Sequence, residues 1–123
     1  MTAAAQTPAP SPSPTPMREV SSITVAAKEF YTRLASGYVD RSHLGPELNS
    51  ALTPELVSTT QQRLAFLGSP LWQYLGGVST DNGPVYVYTL RYSNGTILYY
   101  SFGMDEHGTI FEVFLGTNRP PGV

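Results

Sequence analysis

The chain has 123 residues, a net charge of −2 and only 7 Lys plus Arg with no basic run, which bounds it to one domain and argues against nucleic-acid binding. With no Cys, a disulfide framework, thiolate zinc sites and thiol catalysis are excluded, and no apolar stretch is long enough to span a bilayer. Charged residues make up 13%, well below the usual quarter or so, so the surface relies on Ser, Thr, Asn, Gln and Tyr, a composition that fits an extracytoplasmic protein.

Residues 1–18 begin with MTAAAQTPAPSPSPTP, in which Pro stands at every second position from Pro8 to Pro16. Such a stretch cannot bury apolar surface and reads as a disordered, polyproline-like spacer. Ala3-Ala4-Ala5-Gln6 resembles the end of a secretory cleavage site with its apolar region already removed. The expectation is a secreted or periplasmic protein. The folded domain is expected over 19–118, with 119–123 as a flexible tail.

Val20, Ile23, Ala27, Phe30 and Leu34 recur at three- and four-residue steps, one stripe of a helix running from about Glu19 or Ser22 to Ser36 and closed by Gly37. Asp40 or Ser42 suits a capped turn, and Pro46 the first position of a brief helix ending near Leu52. Thr53-Pro54-Glu55 is a helix start, with Thr capping, Pro at the first position and Glu beside the positive dipole end. That helix is expected to bury Leu56, Val57, Leu64 and Leu67 and to stop at Gly68. Leu71 to Leu75 reads as a strand weakened by Gly76-Gly77, and Asp81-Asn82-Gly83 as a turn.

From Pro84 to Leu115, two turn signals, Ser93-Asn94-Gly95-Thr96 and Asp105-Glu106-His107-Gly108, separate three apolar runs. Taken as a two-residue loop, Asn94-Gly95 pairs Tyr92 with Ile97, Leu90 with Tyr99 and Tyr88 with Ser101. One face then carries Tyr86, Tyr88, Leu90, Tyr92, Ile97 and Tyr99; the other carries Val85, Val87, Thr89, Arg91, Leu98 and Tyr100. A bulge, expected within Tyr99-Tyr100-Ser101-Phe102, would exchange them. Neither face is polar enough for simple solvation. One packs on helices, and the other meets a partner, encloses a ligand or carries exposed tyrosines. Helices followed by strands indicate an α+β fold, with the N-terminal helices packed on a curved four-stranded antiparallel sheet.

Three stretches, Asp40-Arg41-Ser42 through Leu52, Leu52-Thr53-Pro54-Glu55-Leu56-Val57, and Ser93 to Thr96 with Phe102 to Gly108, resemble the nuclear transport factor 2-like (cystatin-like) superfamily of cone-shaped domains. The likeness extends to small domains of this type in secreted bacterial proteins. It implies helices set into the concavity of a bent sheet. In the superfamily's enzymes it implies an acid or His-Asp pair in the cavity, often with Tyr donors. Glu112 is the best such carboxylate: mid-strand, a charge needs a partner, a pocket or water, and inside the cone it would serve as a general base beside a tyrosine. The plainer reading is a charge on an edge strand that discourages sheet-to-sheet pairing.

His107 reads as an exposed turn residue and His43 as part of a local capping turn; the two give no metal-ligand spacing. No cofactor motif, catalytic set or phosphate loop is present. Tyr31, Tyr38, Trp72, Tyr74, Tyr88 and Tyr99 are the candidate lining of an apolar pocket, with sheet packing and an interface as the competing readings. The function expected from the sequence is a non-catalytic extracytoplasmic accessory domain, pairing as a homodimer or with a neighbouring domain through its aromatic sheet. The alternative is a cone that binds a small apolar ligand, or an isomerase- or lyase-type enzyme using Glu112 and tyrosines.

Overall fold

The computed structural model describes residues 17–123; the proline-alternating segment and the cleavage-site likeness lie outside them. Three helices, α1 (Ser21–Ala35), α2 (Pro46–Ala51) and α3 (Pro54–Leu67), precede four strands, β1 (Leu71–Thr80), β2 (Gly83–Arg91), β3 (Ile97–Met104) and β4 (Ile110–Gly116). The strands form one antiparallel sheet in the order β1-β2-β3-β4. The class is α+β, with the helices against one face of an open sheet. A 3₁₀ turn at Arg41–His43 leads into α2, and Leu44 forms a parallel bridge with Ile110 at the start of β4.

The helix ends follow their capping chemistry. Thr53 Oγ1 accepts from Leu56 N at 3.2 Å, with Pro54 in the first turn. Beyond α1, Tyr38 N donates to Arg33 O and Gly37 N to Leu34 O, the crossed pair that satisfies terminal carbonyls. α1 buries Ala27, Phe30, Tyr31 and Leu34. α3 buries Val57 and Leu64, while Leu56, expected inside, is exposed.

The hairpin loops decide the sheet's faces. Tyr92 N donates to Thr96 O and Gly95 N to Tyr92 O, so the loop is Ser93-Asn94-Gly95, three residues instead of two. Gly95, at φ +90°, takes the left-handed position such a loop requires. The β3–β4 connection repeats the pattern: Asp105 N donates to Thr109 O, Gly108 N to Asp105 O, and Gly108 stands at φ +82°. The extra residue shifts the ladder by one, so Leu90 faces Leu98 and Tyr88 faces Tyr100. Relative to the two-residue reading, Leu98 and Tyr100 move to the face of Tyr88, and Ile97 and Tyr99 leave it. The register shifts lie between Tyr74 and Gly76 in β1 and between Gly103 and Met104 against β4, rather than within Tyr99–Phe102.

β1 runs through Gly76-Gly77 to Thr80 instead of ending there. A Cβ on Gly77 would stand 2.7 Å from Met17 Sδ and 2.8 Å from Val85 O, so the bare backbone admits the incoming N-terminal segment. Met17, placed in the spacer by composition, packs against the core. The inner face carries Tyr86, Tyr88, Leu90 and Tyr92 with Leu98, Tyr100 and Phe102, all buried together with the helix residues. The outer face carries Val85, Val87, Thr89 and Ser101, also buried. The C-terminal segment contributes to that burial. A Cβ on Gly76 would lie 3.3 Å from Val123 Cγ1, and one on Gly122 2.9 Å from Val78 Cγ1. Residues 119–123, expected to be free, thus return to β1, with Arg119 Nε donating to Val123 O at 2.7 Å.

Candidate functional site

Four of the six candidate pocket residues converge. Trp72 sits edge-on to Tyr31 at 5.2 Å and to Tyr88 at 5.9 Å between ring centroids, and Tyr74 sits edge-on to Tyr88 at 5.6 Å. Tyr100, absent from the expected set, completes the group at 5.7 Å from Trp72. Tyr38 does not join it: it follows the end of α1 and is exposed. Tyr99 pairs with Thr89 and so belongs to the outer face. The hairpin slip accounts for this exchange of Tyr99 for Tyr100.

The phenol hydroxyls of the cluster are engaged by protein. Tyr31 and Tyr92 share a buried hydroxyl–hydroxyl bond of 2.7 Å. Tyr100 donates to Ala27 O at 3.0 Å and Tyr74 to Met17 O at 2.6 Å. Tyr88 and Thr24 Oγ1 are 3.0 Å apart, and Thr24 donates onward to Glu19 Oε2. Burial raises the pKa of Tyr100 well above the ordinary phenol value. It also pushes Tyr88 up to about 12 against the opposing Thr24 bond. Tyr92 is raised by burial and by its bond to Tyr31. These hydroxyls are neutral at physiological pH, holding the helices to the sheet rather than poised as bases.

Glu112 is not among them. It pairs with Gly103, on the outer face, half-buried. Arg91 stands on the same face, exposed, opposite Leu71 and Ile97. The ion pairs among the described residues are Arg33–Asp40 and His107–Glu106, so neither Arg91 nor Glu112 has an ionic partner there. Around them large apolar side chains face solvent: Leu71 is 76% exposed, Phe114 56% and Ile97 37%.

The two histidines, read separately in the sequence, line one shallow cleft with Glu29, Arg33 and Asp40. Asp40 caps the 3₁₀ turn as expected, and hydrogen bonds from Ser42 hold its carboxyl below the ordinary carboxylate range. Among the described residues no three His, Asp or Glu side chains are arranged to hold a metal ion.

A second cleft, of about 270 Å³, lies between α3 and β4, walled by Leu56, Val57, Leu64, Leu98, Val113 and Leu115 with Thr60 and Arg63. Sequence reading missed it because its walls come from segments some fifty residues apart. No family model, no curated protein and no solved structure matches the chain.

Proposed function

We propose that the protein is a non-catalytic, extracytoplasmic interaction domain of the cystatin-like cone type, pairing with a second copy through the outer face of its sheet. The observation that carries this reading is the contrast between an aromatic interior whose Tyr31, Tyr74, Tyr88, Tyr92 and Tyr100 hydroxyls are bonded within the chain and the exposed Leu71, Ile97 and Phe114 of the outer face. The helices on one face of a four-stranded antiparallel sheet support the cone type. The low charge content and the proline-alternating N-terminal stretch support the location. The enzyme reading needs Glu112 among the tyrosines, and that carboxylate stands across the sheet from them.

A two-fold contact is self-complementary. The unpaired Arg91 of one copy then meets the unpaired Glu112 of the other. Four strands at about 4.8 Å spacing, with roughly seven residues each at about 3.4 Å, span roughly 450 Å² per copy. The contact is smaller than that because Val85, Val87, Thr89 and Ser101 at its centre are already buried. That lies below the usual size of a stable specific interface, so the pairing is weak and reversible. Light scattering across a dilution series tests it. The expected mass rises with concentration toward twice the 13.4 kDa of the chain. A monomer mass held up to about 1 mM would sink the reading.

A further inference from the structure

The two edges of the sheet are finished differently. β1 is interrupted by a register shift and by Gly76-Gly77, and Met17 packs into that gap. β4 is covered at its first residue, where Leu44 bridges Ile110 and Gly45 N donates to Ile110 O at 2.8 Å. From Glu112 to Gly116 its outward backbone groups have no backbone partner among the described residues. Such an edge is a template for another strand. Beside that stretch opens the apolar cleft between α3 and β4. Arg63 lines it, exposed, and is in neither ion pair of the described residues.

We propose that the β4 edge and this cleft together bind an extended peptide segment of another protein as a fifth strand. Backbone groups of the segment pair with Glu112–Gly116. Apolar side chains at alternate positions enter the cleft, because successive strand residues point to opposite faces. A carboxylate on the segment meets Arg63. A second copy of β4 does not fit this role: its one carboxylate, Glu112, lies on the outer face, away from Arg63. The chain's own segment from Pro8 to Pro16 does not fit either, since it consists of Pro, Ala, Ser and Thr and offers neither a carboxylate for Arg63 nor large apolar side chains for the cleft. A small amphiphile would fill the cleft and leave the strand edge unpaired.

The probe is a fluorescent positional library of capped octapeptides, with Val or Leu at alternate positions, one of these replaced in turn by Glu so that it shares the cleft-facing side with them, and Thr or Lys between, titrated by anisotropy to about 1 mM. Members with Glu at one fixed position are expected to bind, and deuterium uptake to fall over residues 112–116. R63E and the cleft-filling T60W each weaken binding roughly tenfold or more. R63E alters an exposed side chain and keeps the test valid if T60W fails to fold. R91E, aimed at the outer face, leaves binding unchanged, which separates this site from the dimer contact. No binding by any member, protection on β1 instead, or affinity indifferent to R63E would each overturn the proposal.

Discussion

The two faces of the sheet are built from different residue types and do different work. The inner face is aromatic: Tyr86, Tyr88, Tyr92, Tyr100 and Phe102 interlock with Tyr31 and Phe30 from α1. The hydroxyls of Tyr88, Tyr92 and Tyr100 end on protein groups, so the face is both apolar filler and a set of directional ties. The outer face is aliphatic and hydroxylic at its centre, with Val85, Val87, Thr89 and Ser101 buried, and apolar and exposed toward Leu71, Ile97 and Phe114. A high count of tyrosines therefore marks the closed side here. The surface available to a partner is the one with few of them.

Removing Tyr100 should break this contrast most severely. It is fully buried at the centre of the cluster, and Tyr100→Ala is expected to cost about 3–5 kcal/mol in denaturant unfolding, a large share of a small domain's stability. A loss below about 1 kcal/mol would mean the interior is loosely filled. Gly77→Ala tests the N-terminal seat. With Val85 O at 2.8 Å from the new methyl, overpacking should cost about 1–3 kcal/mol and loosen Met17.

The hydroxyl ties can be tested singly. Tyr31→Phe leaves the buried Tyr92 hydroxyl without its 2.7 Å partner, at a cost of about 1–3 kcal/mol. The double change Tyr31→Phe with Tyr92→Phe should cost less than the sum, since both polar atoms are then gone. The same phenols set an alkaline limit. Tyr88 titrates near 12 folded against 10.0 ordinarily, and Tyr31, Tyr92 and Tyr100 are raised in the same direction. Above pH 10 the unfolded chain releases these protons first, so stability holds below about pH 10 and falls as pH rises toward 12. Urea midpoints across that range would check it; a flat profile would show that the hydroxyls are not buried. On the outer face, Leu71→Ser should change stability by less than about 0.5 kcal/mol while weakening self-association.

The helix starts and stops, the α+β order and the positions of the three hairpins were legible because they rest on local signals: Thr53-Pro54, Gly37, Asp81-Asn82-Gly83, Gly95 and Gly108. The register was not. Asn94-Gly95 suits a two-residue loop and equally a three-residue loop with glycine left-handed, and one residue decides which side of the sheet Leu98, Tyr99 and Tyr100 occupy. Gly76-Gly77 looked like a strand end because its reason is Met17, sixty residues away. Tyr38 was grouped with the other aromatics on residue type, which carries no position. For Glu112, residue type alone did not say which face of β4 it takes; the pairing with Gly103 puts it on the outer one, half-buried.

The outer face is the proposed contact between copies, and charge reversal across it is the most direct test. Molar mass in solution is measured for R91E, E112R and R91E/E112R at matched concentrations. Each single change sets like charges against each other across the two-fold contact and is expected to leave monomers; the double change restores opposite signs and should restore the wild-type dimer. Equal masses for all four proteins, or a monomeric double variant beside a dimeric wild type, would contradict it.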